Sequence, residues 1–340
     1  MRRLIYIFII GLLLCSYTWA DGSRYASKSL LSEGKWVKIR VDKTGIYKLS
    51  YADLKNMGFS DPSKVSVHGY GGWPLEEDFS KEYIDDVPST PVWRGSDYLL
   101  FYGKGPVKWE YDSSSQTFVH TNNPYSLYGY YFVTDATPTN DMTSVAQASG
   151  ASTRITTYDD YLLHEQELVS VNQSGREFFG EDFSGARPRT ISTFSSIPGI
   201  TDADSKVTMR FISRINSGSG TASLSINDSE LLDITIPSIQ TVSSNVRSYT
   251  KAIPGTTTAL WQGSKSEKNN VVVSYSSSGH TNVRLDYIRM QFVRTLRPYG
   301  ASTFFRSLTS VGNASRFVIS EANSNTLVFD VTDALNVKRV

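Results

Sequence analysis

The sequence predicts a mainly β protein, in which an N-terminal β-rich domain with a short helix is followed by an antiparallel, jelly-roll-like β-sandwich. Short runs of β-forming residues recur along the chain, and Gly- and Ser-rich clusters separate them in its second half. Aromatic residues make up 12% of the 340 residues, so large side chains are available to build a core. At roughly 100–200 residues per domain, this length predicts about two domains.

The start of the chain has the pattern of a secretory signal peptide. Arg2 and Arg3 form a basic beginning, residues 4–14 are an almost unbroken apolar run, and polar residues follow Ala20. The run is shorter than an ordinary membrane span of about 20 residues. We therefore expect cleavage after Ala20 and export of the chain to the cell surface or the periphery of an outer membrane.

The chain has one cysteine, Cys15, which lies inside this predicted signal peptide. A lipoprotein signal is the alternative, and Leu14 argues against it because the residue before a lipidated cysteine is usually small. Cleavage after Ala20 leaves residues 21–340 without a thiol. Such a chain has no disulfide, no zinc site built from cysteines and no cysteine nucleophile.

The charges are almost balanced, with 34 Lys and Arg against 33 Asp and Glu, a net charge of +1. A protein that binds duplex nucleic acid usually carries a basic excess, so we expect no nucleic-acid partner. The balance also argues against a polybasic surface that binds membranes.

The first mature elements are predicted from residue spacing. Apolar residues alternate with basic ones over residues 37–41, and β-forming residues follow at 46–49. The short loop between them, which ends in Gly45, predicts a β-hairpin. Ser50 to Asp53 forms a capping box for a short helix that ends before Gly58.

Further strands are predicted at residues 65–70, 98–102 and 128–133. Residues 136–157 are rich in Ser, Thr, Ala and Gly, which favours a connection between domains 21–150 and 151–340. Residues 158–171 fit neither helix nor strand periodicity cleanly. The strands predicted for the sandwich are 207–211, 222–226, 232–236, 270–275, 283–293 and 317–319.

No catalytic or metal-binding motif emerges from the titratable residues. The histidines are His68, His120, His164 and His280. They form neither an HExxH motif nor a closely spaced pair, so zinc is unsupported and ordinary surface or core roles are favoured. No GxSxG elbow is present, and residues 216–220 have the composition of a turn. We expect no cofactor.

Four other groups have a functional and a structural interpretation. The acidic residues Glu76, Glu77, Asp78, Asp85 and Asp86 could serve a glycosidase, although a solvated loop explains them equally well. Asp202 and Asp204 could begin a calcium site that lacks its remaining ligands. Gly69 to Gly72 favours a sharp turn over a phosphate cradle. The aromatic residues Trp73, Trp93 and Trp109 could stack on sugars or pack in a core.

Nine blocks in one order carry a resemblance to a known family. They are residues 34–41 (GKWVKIRV), 44–49 (TGIYKL), 67–72 (VHGYGG), 100–109 (LFYGKGPVKW), 123–132 (NPYSLYGYYF), 164–165 (HE), 174–181 (SGREFFGE), 285–288 (LDYI) and 329–333 (FDVTD). Together they resemble the N-terminal region of the PorU-type sortases of the type IX secretion system, which are gingipain-type cysteine peptidases. The resemblance covers essentially the whole mature chain.

This resemblance implies a cell-surface enzyme that removes the C-terminal sorting domain of exported cargo and attaches the cargo to anionic lipopolysaccharide. The family's catalytic Cys and His lie in a domain downstream of the matched region, so no catalytic residue is carried over to this chain. We expect that peptidase domain beyond Val340. The resemblance also implies partners among the outer-membrane secretion components and the cargo.

Two alternatives to this interpretation remain at the level of sequence. A free-standing binding module for glycans or surface partners would use the strand-rich second half with its Tyr and Trp residues. A hydrolase that does not need cysteine would use acidic residues such as Glu76 and Glu77.

Overall fold

The computed structural model describes residues 25–81, 84–146, 149–171, 175–185, 187–215, 217–239, 252–277 and 281–340. The predicted signal peptide with Cys15 lies outside these residues, as do His280, Ser174 and Asn216. Strands account for 46% of the structure and helix for 6%, which confirms the mainly β fold class. Among the described residues, no helix is both long enough and apolar enough to span a membrane.

The helix α1 is Tyr51–Asn56, and 3₁₀ turns occupy Leu30–Ser32, Pro62–Lys64, Ser192–Phe194 and Leu308–Ser310. In chain order the strands are β1 (Val37–Val41), β2 (Gly45–Ser50), β3 (Ser66–Gly71), β4 (Ser89–Thr90), β5 (Val92–Arg94), β6 (Tyr98–Gly103), β7 (Val107–Asp112), β8 (Thr117–Asn122), β9 (Gly129–Thr134), β10 (Thr153–Ile155), β11 (Thr157–Glu165), β12 (Arg189–Thr190), β13 (Ser205–Ile215), β14 (Ser219–Ile226), β15 (Ser229–Pro237), β16 (Ile253–Trp261), β17 (Val271–Ser277), β18 (Thr281–Thr295), β19 (Ser315–Phe317), β20 (Phe329–Asp330) and β21 (Lys338–Arg339).

The chain folds into two compact units whose segments alternate along the sequence. The first unit contains the described residues up to Pro106, together with Tyr128–Val145 and Phe329–Val340. The second unit contains Val107–Leu127 and Ala146–Val328. These units group residues that contact one another in space, and they are not a test of domain boundaries along the sequence. The division into domains 21–150 and 151–340 therefore stays a prediction.

The first unit contains a four-stranded sheet of order β1-β9-β3-β4 and a three-stranded sheet of order β2-β6-β5. The predicted hairpin between β1 and β2 is wrong, because β1 pairs with β9 and β2 pairs with β6. These distant partners match all five residues of β1 and all six of β2. The pairing lets Val41 and Leu49 pack into one core with Phe101 and Tyr131.

Local capping defines α1 as the sequence predicts. The backbone amide of Asp53 donates to Ser50 Oγ over 3.0 Å, and the Ser50 hydroxyl donates to Asp53 Oδ2 over 2.6 Å. The chain leaves the helix through Gly58, whose φ of 89° is left-handed. The helix buries Leu54 in the core of the first unit.

Ser50→Ala removes this cap, so we expect it to lower the free energy of unfolding by about 1 kcal/mol. Urea unfolding followed by circular dichroism measures the change. Ser60→Ala, at an exposed position beyond the helix, is the matched control and should leave the midpoint unchanged. Equal midpoints for both variants would show that the cap contributes nothing.

The glycines of the predicted turn at 69–72 lie at the end of β3, where the strand bulges against β9. Gly69 and Gly71 have φ values of 140° and 78°. A Cβ atom on Gly72 would lie 2.7 Å from the Cα of Gly129. Two strands therefore approach each other here more closely than side chains allow, which explains the glycines without a phosphate ligand.

The second unit is a β-sandwich made of two four-stranded sheets, with orders β11-β18-β13-β16 and β12-β17-β14-β15. Every pairing within these sheets is antiparallel. Its core contains Phe183, Phe194, Phe211, Leu224, Val273, Leu285 and Met290, among others. The ambiguous segment 158–171 begins as strand β11, whereas the residue pattern did not predict β16 or the β7–β8 hairpin.

Candidate functional site

Strand β11 presents two different groups of side chains because successive residues point to opposite faces. Leu162 packs against the sandwich core. Tyr161 and Glu165, on the opposite face, contact the β7–β8 hairpin through Trp109 and His120. His164 shares the face of Leu162 and lines a cavity in the second unit.

This cavity has a volume of about 500 Å³. It is lined by His164, Gln166, Leu168, Glu181, Asp182, Arg189, Thr190, Ile191, Ser192 and Arg284. The lining residues come from both sheets of the sandwich, since His164 belongs to β11 while Arg189 and Thr190 form β12. Small-molecule sites are usually concave and combine apolar surface with a few convergent polar groups. This lining is more polar than that, since eight of its ten residues are polar or charged.

A histidine and a glutamate are fixed together in the wall of the cavity. His164 Nε2 lies 2.7 Å from Glu181 Oε1, and His164 Nδ1 lies 2.8 Å from Thr193 Oγ1. Burial raises the pKa of Glu181, but hydrogen bonds from His164 and from its own backbone outweigh it and hold the pKa below its ordinary value. Glu181 is therefore a carboxylate at neutral pH and can accept hydrogen bonds.

The two arginines of the cavity are held by neighbouring acceptors. Arg284 donates to the carbonyl oxygen of Gly180 over 3.0 Å and lies 3.4 Å from Asp182 Oδ2. Arg189 donates to the backbone carbonyl oxygen of Asp182 over 2.8 Å. With Glu181 and Asp182 beside them, the formal charges of the arginines are compensated within the cavity.

A second cluster lies where the β7–β8 hairpin covers the outer face of the sheet. Trp109 stacks on Tyr161 with ring centroids 3.8 Å apart. His120 Nε2 lies 3.2 Å from Glu165 Oε2, and both side chains are buried. The edge of the His120 ring meets Tyr287 at a centroid distance of 4.7 Å. The cluster thus joins the hairpin to β11 and β18.

Carboxyl groups with raised pKa values lie beside this cluster. Burial raises the pKa of Glu167 to about 7, with further contributions from Glu165 and Asp286. Burial also raises the pKa of Asp286 to about 6, although the adjacent Arg210 lowers it. Asn122 on the hairpin donates to Glu167 Oε1 over 3.0 Å.

The raised pKa of Glu167 predicts that stability falls as pH rises from about 4.5 to about 7, because over this window the folded protein holds a proton that the unfolded chain has lost. Glu167→Gln removes the ionisation. We expect it to raise stability by about 1 kcal/mol at pH 8, after allowance for solvent screening, and to change little at pH 4.

Differential scanning calorimetry at both pH values measures this effect. Glu230→Gln, at an exposed position of β15, is the control and should melt like the wild type at both. If Glu167→Gln and the wild type melt at the same temperature at pH 8, the ionisation of Glu167 does not lower the stability of the folded protein.

The histidines that the sequence singles out have different surroundings. His68 is buried in the first unit, where its Nε2 lies 2.9 Å from Thr137 Oγ1. Burial lowers the pKa of His68, which fits a neutral core histidine. His120 and His164 lie in the two clusters of the second unit, while His280 lies outside the described residues.

The acidic loop of the first unit is bound by its own neighbours. Glu76 accepts from the backbone amide of Asp78 and from Lys81, and the first of these bonds is the main cause of its lowered pKa. Asp86 accepts from Ser29 and Leu30. These contacts stabilise ionised carboxylates, so they do not provide the proton donor that a glycosidase requires.

The remaining aspartates and tryptophans also make structural contacts. Asp202 accepts from the amide of Lys265, and Asp204 accepts from Gln262. Within the described part of the chain, no group of three or more His, Cys, Asp or Glu side chains is placed to hold a metal ion. Trp109 is covered by Tyr161, Trp93 packs beside Tyr98, and Trp73 lies under Lys104.

Sequence reasoning missed the grouping of His164 with Glu181 and Arg284. Alternation along β11 could have separated His164 from Glu165. Glu181 lies 17 positions after His164, and Arg284 lies 103 positions after Glu181. Nothing in the spacing of the chain indicates that these three residues meet at one cavity.

Comparison with known proteins identifies a strong similarity to a solved structure. No family model matches this sequence, and no curated protein matches it. The crystal structure of dimeric latent PorU from Porphyromonas gingivalis matches with a TM-score of 0.79 and 34% sequence identity. The match covers 93% of this chain and 30% of the PorU chain, so this chain spans less than a third of the length of that relative.

Two carbohydrate-binding modules match far more weakly. One is CBM6cm-2 of lichenase 5A from Cellvibrio mixtus, with a TM-score of 0.20, 12% identity, and coverage of 44% of this chain and 96% of the module. The other is CBM35 of Abf62 from Cellvibrio japonicus, with a TM-score of 0.20, 14% identity, and coverage of 40% and 97%. These scores are too low to support any argument about function. The match that remains shows that this chain is a PorU-like region over nearly its whole length.

Proposed function

We propose that this chain is the N-terminal, non-catalytic region of a type IX secretion sortase, and that it supports or docks a peptidase domain. The observation that carries the proposal is the match to latent PorU over 93% of the chain. By resemblance to the family, the whole enzyme removes C-terminal sorting signals from cargo and attaches the cargo to anionic lipopolysaccharide.

The chemistry of the chain is consistent with a supporting role. A cysteine peptidase forms an acyl-enzyme through a thiolate and a nearby histidine. Residues 21–340 contain no cysteine, so in this proposal the nucleophile comes from another part of the protein. His164 contacts Glu181, and His120 contacts Glu165. Both partners are carboxylates, whereas the histidine of a cysteine peptidase is paired with a thiol.

The proposal includes a place and partners. The first twenty residues, which have the pattern of a signal peptide, direct the chain out of the cytoplasm. From the resemblance to PorU-type sortases we infer a location at the cell surface, beside the outer-membrane secretion components. Cargo proteins are the second class of partner. In this role the sandwich holds the peptidase domain in position for cargo that leaves the secretion assembly.

The first experiment measures the size of the native protein. An antibody raised against residues 21–340 is used to blot membrane and secreted fractions of the source organism. We expect a band much larger than 37.9 kDa, in the surface fraction and accessible to protease on intact cells. A band near that mass, less roughly 20 residues of signal peptide, would contradict the sortase proposal and favour a free-standing binding module.

The second experiment tests activity directly. Purified residues 21–340 are incubated with a cargo protein that carries its C-terminal sorting domain, and the products are examined by mass spectrometry. We expect intact cargo. Cleavage by the purified chain would show that it is catalytic by itself and would overturn the supporting role.

A further inference from the structure

We propose that the cavity beside β11 and β12 binds a neutral saccharide of one or two rings. This role goes beyond the support of a peptidase domain, and it holds whether or not such a domain accompanies the chain. The volume of about 500 Å³ lies within the range of about 300–1,000 Å³ that is typical of small-molecule sites.

The chemical groups around the cavity match a polyhydroxylated ring. Gln166, Thr190 and Ser192 provide exposed amide and hydroxyl groups, each of which both donates and accepts hydrogen bonds. Leu168 and the buried Ile191 provide apolar surface in the same lining. A sugar ring presents hydroxyl groups at its edge and C–H groups on its faces, so it can use both kinds of surface.

The charges of the cavity favour a neutral ligand over a charged one. Arg284 is paired with Asp182, and His164 contacts Glu181. An anionic ligand would meet the carboxylates of Glu181 and Asp182, while a cationic ligand would meet Arg284 and Arg189. Because both signs of charge occur in one lining, a charged ligand of either sign would be attracted by some lining residues and repelled by others.

Two buried atoms of the lining provide additional hydrogen-bonding capacity. Glu181 Oε2 and Arg284 Nε have no hydrogen-bond partner among the described residues. Buried polar atoms are usually satisfied, so an unpaired acceptor and an unpaired donor at one cavity indicate a missing partner. A sugar hydroxyl can donate to Glu181 and accept from Arg284.

Saturation-transfer NMR on the chain without its predicted signal peptide tests the proposal. The probes are the methyl glycosides of glucose, galactose, mannose and N-acetylglucosamine, together with cellobiose and lactose, and glucuronic acid is the anionic comparison. We expect at least one neutral probe to bind and to bind more tightly than glucuronic acid. Titration calorimetry then gives the affinity of that probe.

Two variants locate the binding. Leu168→Lys replaces apolar surface by a long, charged side chain at an exposed position of the lining, and should greatly weaken binding without disturbing the core. Glu181→Gln keeps the shape but removes the charge and one acceptor oxygen, and should weaken binding about tenfold. Glu230→Gln, at an exposed position of β15, is the matched control and should bind like the wild type. Near-ultraviolet circular dichroism confirms that each variant is folded.

Three outcomes would overturn the proposal. The first is that none of the neutral probes binds. The second is that binding stays at wild-type strength in folded Leu168→Lys, which would place the ligand elsewhere. The third is that glucuronic acid binds more tightly than every neutral probe, which would assign the cavity to anions.

Discussion

Replacing Arg210 with Met is expected to lower the free energy of unfolding by about 3 kcal/mol at pH 8, because it leaves a buried carboxylate without its counter-ion. In the structure the Arg210 guanidinium contacts the carboxylate of Asp286, whose side chain is only 5% exposed. Arg210 also lies 3.7 Å from Glu177. Asp286 lies at the register shift of the β13–β18 pairing, where Arg210 is opposite Tyr287 and Phe211 is opposite Leu285.

The effect of Arg210→Met should depend on pH in a defined direction. Burial raises the pKa of Asp286 to about 6 even in the presence of Arg210, so this carboxyl lowers stability as pH rises from about 3.8 toward 6. Without Arg210 the pKa rises further. At pH 5 the folded protein can protonate Asp286 and avoid much of the cost, so we expect a clearly smaller loss there than at pH 8.

Urea unfolding at the two pH values measures these losses, and two further variants serve as controls. Arg210→Lys keeps a positive charge and should lose less than Arg210→Met. The double variant Arg210→Met with Asp286→Asn removes both charges and should recover much of the lost stability. Equal losses at pH 5 and pH 8, with no recovery in the double variant, would show that packing and not charge explains the effect.

Gly129→Ala is expected to lower the free energy of unfolding by about 2–3 kcal/mol, because the added methyl group has no space. A Cβ atom at this position would lie 2.3 Å from the carbonyl oxygen of Lys104 and 2.7 Å from the backbone nitrogen of Gly72. Both obstacles are backbone atoms, so rotation of a side chain cannot relieve the clash. The first unit must therefore move apart at the junction of β9 with the end of β3.

Gly185→Ala is the matched control, since a Cβ atom there meets nothing within 4 Å. Urea unfolding followed by circular dichroism should show a large shift of the midpoint for Gly129→Ala and a shift within about 0.5 kcal/mol for Gly185→Ala. A small shift for both variants would mean that the close approach of Gly72 and Gly129 does not persist in solution.

The sequence by itself determined those features that depend on residues close together in the chain. Ser50, Asp53 and Gly58 define α1 because a cap and a left-handed stop act within one turn of helix. Alternation over Val37–Val41 and runs of β-forming residues such as Tyr98–Gly103 predicted strands, since side chains on a strand repeat every two residues. The ordered sequence blocks also predicted the similarity to PorU-type proteins.

Only the tertiary structure decided which strands pair. The short loop after β1 predicted a hairpin, yet β1 pairs with β9 and β2 with β6. Which strands pair depends on the apolar surface that all the strands bury together. The alternation of side chains along one strand shows which face is buried, but not which distant strand is its partner. Strand β16 was not predicted because Pro254, Gly255 and three threonines occupy residues 254–258, which leaves few apolar residues to reveal strand periodicity.

The candidate site was likewise decided by tertiary structure. His164, Glu181 and Arg284 come from separate parts of the chain and meet only when both sheets of the sandwich close. Their protonation depends on burial and on neighbouring charges, which exist only in the folded state. Periodicity could predict that β11 has two faces, but the packing of distant segments determined which face met a cavity and which met the β7–β8 hairpin.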